Sequence, residues 1–519
     1  MSYEVKQAYP LFLAGVDVAG EANKLPIENP ATGETIALCD AASSAQVRQA
    51  VDAAQRAFES GVWSKRAPAD RGSVLEDVAR AFQAKVKDLA VLESMQTGRP
   101  YREMNLQLGR LSEWFSYFAA LARTEEGTVQ PIHGQLLNYV KRGPLGVCAL
   151  ISSFNHPLLI SIKKLAPALA AGNSVVLKPS ELAPLTVLEL AKILQSAGLP
   201  DGVLSVLPGY GMITGKALVE DPRIKKVDVT GGTAGGRAIG EIVGRNLASY
   251  TAELGGKAPI IVFKDVNLDM AVNGVAFASF IASGQTCVAG TRIIVHSSLF
   301  ETFLGALARK CDSIATRIGS PFTKDSMMGP VISARQLGIV EDLVASAKRD
   351  GATVVRGGER MSGKSALDGH NLDSGYFYPP TLITGNSAVK ATSLRLWREE
   401  AFGPVLVIVP FDTENQAIQL ANDSEYGLGS AIWTRDGAQA TRVANALDHG
   451  LVWINTHHRN HPSSAWGGYK NSGIGRENGR EAFHSYTQAK SIIQNFATEE
   501  ESLINDDWFR KDDREVRYG

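Results

Sequence analysis

The stretch 146–180, "GVCALISSFNHPLLISIKKLAPALAAGNSVVLKPS", decides the fold. "GVCALIS" is a short apolar run with the pattern of a buried strand. "PLLISIKKLAPALAAG" opens on a proline and closes on Gly172, the punctuation of a helix. "NSVVLKPS" reads as a second strand. The same rhythm continues with a helix over 183–197. "GVLSVLPG", "ALVEDP", "IKKVDVTG" and "TAGGRAIGEIVG" then follow as strand, helix, strand and helix. This alternation predicts a doubly wound parallel sheet, which binds its ligands at the carboxyl ends of its strands.

After "TAELGGK" the alternation restarts. "APIIVF", "RIIVHS", "VLVIVPF", "SAIWT" and "GLVWINT" read as strands, with helices over 268–283 and 298–316. A second α/β domain therefore begins near Gly255-Gly256. Upstream, 43–60, 66–97 and 101–123 carry apolar residues at helical spacing. "QLLNYVKRGPLG" and "SYTQAKSIIQNF" read as extended ribbon outside both cores, and exposed edges of that kind pair with other subunits. The segment from Thr498 to Gly519 is rich in Glu, Asp and Arg and is expected to be solvated or partner-facing.

A chain of 519 residues is too long for one ordinary core. Its net charge of -1 provides no field to recruit nucleic acid or membrane. The four cysteines, Cys39, Cys148, Cys287 and Cys311, lie far apart with no CxxC pair. That spacing argues against a disulfide framework or a metal site, and for a reducing compartment. The N-terminus has no basic start or long apolar run, and no uninterrupted apolar run reaches membrane-spanning length. A cytoplasmic location is expected.

Several segments pair a reactive side chain with a turn. In "ASGQTCVAGTR", Cys287 stands among Gly284, Ala289 and Gly290, which leave room for a substrate carbonyl; an inert buried thiol fits the same residues. Glu253 closes an apolar strand before two glycines, as a base facing a crevice or as a turn cap. "DVTGGTAGGRAIG" brings helix N–H groups near a pyrophosphate, or is an ordinary glycine-rich turn. Lys178 and Glu181 in "LKPSE" suit ribose hydroxyls, or begin a helix. Asn155 in "FNHPL" is an oxyanion donor or a plain N-cap.

"FNHPL", "LKPSE", "TGGTAGG", "ELGGK", "GQTCVAG", "EEAFGPV", "NDSEYGL" and "GGYKNSGIGRENG" occur in one order. In that order and spacing the chain resembles the NAD(P)-dependent aldehyde dehydrogenase superfamily, from about residue 10 to about 495. The resemblance implies an NAD-binding domain over 1–126 and 147–255 and a catalytic domain over 256–460. It implies an oligomerisation ribbon over 127–146 and 480–497, a charged tail over 498–519, and a homodimer or homotetramer. It makes Cys287 the nucleophile, Glu253 the general base, and Asn155 with the Cys287 N–H the oxyanion donors. It places Ser152, Phe154, Lys178, Glu181, Gly211, Gly231, Gly232, Gly236, Leu254, Glu400 and Phe402 around the cofactor. That cofactor is expected to be NAD, because a 2'-phosphate would meet the Glu181 carboxylate; Lys178 partly offsets this, so NADP remains open. Two departures stand out. Gly232 replaces the usual Ser, and His156 replaces a common aromatic.

The reaction implied is oxidation of an aldehyde to the acid through a thioester. CoA-acylating relatives generally lack the base, so the presence of Glu253 favours hydrolysis over that alternative, and a non-catalytic role is disfavoured. A broad-range aldehyde scavenger stays open. For the substrate, Lys163 holds the tunnel position that is a cation in succinate-semialdehyde-type members. "NTHHRNHPSSAWGG" supplies His457, His458, Arg459, His461 and Trp466 to the opposite wall. His156 joins this pocket. The expectation is a carboxylated or aromatic aldehyde, with a betaine-aldehyde role disfavoured; alternatively Lys163 snorkels to solvent.

Overall fold

The computed structural model describes residues 4–511 and 513. Val147–Ile151 (β1) and Ser174–Lys178 (β2) pair in parallel, and Pro157–Ala171 (α1) crosses between them. β2 is buried throughout and β1 all but its last residue, so neither alternates between polar and apolar positions. α1 is buried on nearly every side, including its three polar positions Ser161, Lys163 and Lys164. Leu204–Val206 (β3), Ile224–Thr230 (β4) and Ser249–Glu253 (β5) complete a parallel core in the order β5-β4-β1-β2-β3. The strand order reverses between β1 and β4, which opens a crevice beyond their carboxyl ends. Thr233–Arg245 (α2) follows β4 there.

Four residues, Leu254 to Lys257, link β5 to the second sheet. That sheet holds Ala258–Val262 (β6), Gly290–His296 (β7), Thr381–Thr384 (β8), Val405–Phe411 (β9), Gly429–Trp433 (β10) and Leu451–Ile454 (β11). Its order is β8-β9-β7-β6-β10-β11, all parallel, with Thr353–Arg356 antiparallel at the β8 edge. Gly473–Ile474 returns from the far end of the chain and pairs antiparallel with β5, placing Gly473 opposite Glu253.

The structure departs from the sequence reading in four places. The helix expected over 101–123 is two, Tyr101–Leu108 and Ser112–Thr124, separated near Gly109. The helix expected to reach residue 283 ends at Phe280, and a 3-10 turn, Ile281–Gly284, follows. Residues 8–41 form strands that sequence reading left unassigned. Leu11–Leu13 and Val16–Val18 extend the first sheet, and Ala8–Tyr9, Ala22–Asn29 and Glu34–Ala41 form a small sheet of their own. Finally, Gly479–Ser485 is a helix, so the ribbon strand starts at Thr487. Thr487–Asn495 pairs antiparallel with Leu136–Pro144 along its whole length, with Thr128–Gln130 outside it.

Beyond the ribbon, Glu499–Asn505 is a helix started by a Thr498/Glu501 capping box. Residues 512 and 514–519 of the charged tail, like 1–3, lie outside the described residues. No helix among those described is long and apolar enough to cross a membrane.

Candidate active site

Cys287 lies between the Ile281–Gly284 turn and β7. Ala282 (φ 52°), Ser283 (φ 56°) and Gly284 (φ 73°) are all left-handed. For the two residues with a β-carbon this costs about 1–2 kcal/mol each. The surroundings hold the turn in place. Ser283 Oγ donates to the Gly329 carbonyl (2.8 Å), and Gln285 Oε1 accepts from the Ile332 N–H (2.9 Å). A β-carbon on Gly284 would overlap the Gly403 carbonyl, and one on Gly256 would overlap the Cys287 carbonyl oxygen. So the small residues around the thiol serve close backbone approach as well as ligand room. Cys287 is part-exposed, whereas Cys39, Cys148 and Cys311 are buried, and all four are free thiols. Burial, then the charges of Glu253 and Glu400, pushes the Cys287 thiol up to about 12.

Asn155 follows β1 and is 5% exposed. Its Nδ2 donates to the Gln285 carbonyl (2.8 Å) and its Oδ1 accepts from Ser153 Oγ (2.8 Å). One amide hydrogen thus ties β1 to the cysteine turn, and the second is left for a ligand. Glu253 ends β5, between Thr230 on one side and Gly473 on the other. It is 2% exposed, and neither carboxyl oxygen has a hydrogen-bond partner among the described residues. Burial raises it well above the ordinary carboxylate range. Glu477 adds to that, and Lys163 and Lys164 oppose it.

Lys163 is neither snorkelled to solvent nor free. It is 4% exposed, its Nζ lies 2.5 Å from Glu477 Oε2, and it stands 4.5 Å over the Trp466 ring. Lys164 pairs with the other Glu477 oxygen (2.6 Å) and with Asp228 (2.5 Å), whose second oxygen accepts from Tyr486 Oη (2.6 Å). Against burial, which would raise it, the two lysines hold Glu477 down at about 2. The tunnel cation expected from sequence is therefore neutralised by a carboxylate that sequence reading left without a role. Glu477 was present in the quoted "GGYKNSGIGRENG", but nothing local shows where that segment returns.

Most of the residues expected around the cofactor stand at or just beyond the carboxyl ends of β1 to β5. Ser152 is buried, its N–H donating to the Lys178 carbonyl (3.1 Å). Phe154 and Phe402 meet edge to face at 5.6 Å. Lys178 Nζ donates to the Pro179 carbonyl (3.0 Å) and to Glu181 Oε2 (3.4 Å). β-Carbons on Gly211, Gly231 and Gly232 would meet nothing, whereas one on Gly236 would strike Leu254. Gly236 thus serves helix-to-strand packing. Glu400 Oε1 accepts from the Gly256 N–H (2.9 Å), while its neighbour Glu399 is exposed and paired with Arg395.

A cavity of about 720 Å³ opens on Cys287, Glu253 and Asn155. His156, Lys163, His458, Arg459 and Trp466 also line it. His457 and His461 do not. His457 Nε2 turns to the Val288 carbonyl (2.7 Å), and His461 contacts Ser463 (2.7 Å). Among the further lining residues that escaped the sequence reading are Arg99, in the short link between two helices, and Arg102 and Lys310, each on a helix with no motif around it.

The model of the family described as "Aldehyde dehydrogenase family" matches residues 18–492. The chain belongs to that family. It is 39% identical over 485 residues to the chloroplastic betaine aldehyde dehydrogenase of Amaranthus hypochondriacus, covering 92% of this chain and 94% of that protein. Among solved structures it superposes on a putative aldehyde dehydrogenase from Burkholderia cenocepacia with a TM-score of 0.90 at 40% identity, covering 94% of this chain and 97% of that one. It matches betaine aldehyde dehydrogenase from Staphylococcus aureus in complex with NAD+ with a TM-score of 0.91 at 36% identity, covering 98% and 97% of the two chains. The fold is that of the aldehyde dehydrogenases.

Proposed function

We propose that the chain oxidises an aldehyde to the carboxylic acid with NAD+, through a thiohemiacetal and then a thioester on Cys287. The observation that carries this is the convergence of Cys287, Glu253 and Asn155, from three separate strand ends of two sheets, on one cavity. The crevice suits NAD+. Gly231 and Gly232 leave space at the first turn of α2, whose amides have no helical partners. Lys178 and Glu181 would hold one ribose and Glu400 the other, with Phe402 beside the nicotinamide. When bound, NAD+ supplies the hydride acceptor.

The chain's own residues do the rest. The part-exposed thiol passes its proton to solvent in the cavity, and its sulfur attacks the aldehyde carbon. The free Asn155 amide hydrogen and the Cys287 N–H then stabilise the alkoxide. A buried carboxylate with raised proton affinity is matched to taking a proton from water, so Glu253 activates the water that cleaves the thioester.

Glu181 orders the cofactor preference. A 2'-phosphate there would sit against its carboxylate, and the Lys178 ammonium is already engaged by Pro179 and Glu181. NAD+ is expected to exceed NADP+ in kcat/KM, and Glu181→Ala to narrow the gap. A wild-type preference for NADP+ would refute the assignment.

For the substrate, Lys163 already occupies the Trp466 face that a quaternary ammonium would need. Arg102, Lys310 and Arg459 line the cavity and form no ion pair with a described residue. These features support a carboxylated or aromatic aldehyde, although named relatives act on betaine aldehyde. A panel of length-matched carboxylated, neutral, aromatic and quaternary-ammonium aldehydes tests this by NADH formation, with the quaternary member expected last. Arg459→Glu should lower kcat/KM for the carboxylated member more than for the neutral one, and less so at high salt. Lys163→Met should lower both alike, because its charge is spent on Glu477. A quaternary aldehyde turned over best would sink the substrate reading.

Both outer ribbon strands keep exposed edges, which supports a homodimer or homotetramer; sedimentation distinguishes either from a monomer.

A further inference from the structure

His156 and His458 line the same cavity, and their fixed partners give them opposite polarity. Arg99 Nη1 lies 2.6 Å from His156 Nδ1. A guanidinium has donors and no acceptor, so Nδ1 meets it with a lone pair and the ring proton sits on Nε2. Arg99 is 2% exposed and cannot swing away. The two Nη1 hydrogens are shared among His156 Nδ1, the Asn155 carbonyl (3.0 Å) and Gln107 Oε1 (3.2 Å), and Nε donates to Glu103 (3.1 Å). Gln107 Oε1 also approaches His156 Nδ1 (3.2 Å), two acceptors that share the guanidinium between them. His458 is the reverse. Its Nε2 lies 3.0 Å from the Ala278 carbonyl oxygen, which only accepts, so Nε2 carries the proton and Nδ1 the lone pair.

Both rings are neutral. Burial, then the Arg99 and Lys163 charges facing it, holds His156 well below its ordinary range. Burial and Arg99 bring His458 down to about 4, against the Ala278 bond. Neither His156 Nε2 nor His458 Nδ1 has a hydrogen-bond partner among the described residues, and both rings are part-exposed on the cavity.

We propose that this pair reads a hydroxyl on the aldehyde's carbon chain. His156 Nε2–H donates to the hydroxyl oxygen, and His458 Nδ1 accepts the hydroxyl proton. A methylene leaves both ring nitrogens unpaired. A carboxylate satisfies the first and faces a lone pair at the second, so any anionic end belongs at the mouth, with Arg102, Lys310 and Arg459. The substrate class is a hydroxylated aldehyde. This rests on the reading that the cavity takes an aldehyde for oxidation.

The test compares kcat/KM for 2-, 3- and 4-hydroxybutanal with that for butanal, in wild type and His156→Phe. At least one hydroxybutanal should exceed butanal by about tenfold or more in wild type, because a site built to pair a hydroxyl rejects the analogue lacking it. His156→Phe should collapse that ratio, whatever happens to either rate. The wild-type ratio should stay flat from pH 6 to pH 9, since neither ring titrates there. No hydroxybutanal preference, a ratio that survives His156→Phe, or a ratio that changes through neutral pH would each overturn the inference. If the phenylalanine variant fails to fold, the wild-type preference and its pH profile still decide. Butanal oxidised without hydroxyl preference refutes this inference alone. No NADH from any aldehyde refutes the oxidation reading beneath it.

Discussion

Cys287→Ala is expected to lower aldehyde oxidation by at least about 10⁴-fold, the scale seen when a covalent nucleophile is removed from a site whose members act as a unit. The other thiols cannot substitute, since Cys39, Cys148 and Cys311 are buried in the cores and away from the cavity. Alanine fits the site without strain, because the left-handed residues of the turn are 282–284 and not 287. NAD+ binding should therefore survive, and a fluorescence titration measures it. Turnover within tenfold of wild type would dismiss Cys287 as the nucleophile.

Glu253→Gln is expected to separate the two halves of the reaction. The amide keeps the shape of the side chain between Thr230 and Gly473 but cannot take a proton from water. The thioester should form and persist, giving a burst of NADH near one equivalent per site. A steady state slowed about 10²- to 10⁴-fold should follow, the usual worth of a positioned base. The pH dependence has a definite sign. Burial raises this carboxyl well above its ordinary range, so its basic form is lost as pH falls through that raised value. The wild-type hydrolytic rate should then rise with pH along a limb that the glutamine variant lacks. An unchanged steady state in stopped-flow traces would mean that another group activates the water.

Much of this site was visible along the chain because its parts sit where local patterns end. Asn155, Gly231 and Glu253 each follow an apolar strand, and strand ends are readable from a break in the run. The turn before Cys287 was less legible. Its glycine was plain, but Ala282 and Ser283 adopt left-handed backbone that neither residue type announces. The Ser283 bond to Gly329 and the Gln285 bond to Ile332, both to a distant segment, hold it. The N-terminal strands were missed for a related reason. Ala22–Asn29 and Glu34–Ala41 mix exposed and buried positions irregularly around register shifts.

By itself the sequence determined the two alternating α/β units, the ribbon, and the residues that stand at the carboxyl ends of the strands. Those follow from periodicity and turn chemistry, which act over a few residues. Only the tertiary structure decided what those residues experience. Lys163 and Lys164 are adjacent on one helix, and along the chain Lys163 reads as a cation for the tunnel. Glu477, 313 residues beyond Lys164, pairs with both, Asp228 shares Lys164, and Lys163 is left on the Trp466 ring. Arg99, 57 residues before His156, engages its Nδ1 and leaves Nε2 without a partner among the described residues. A charge or a tautomer is governed by the groups within a few ångströms, and the folded chain brings those groups from anywhere along its length.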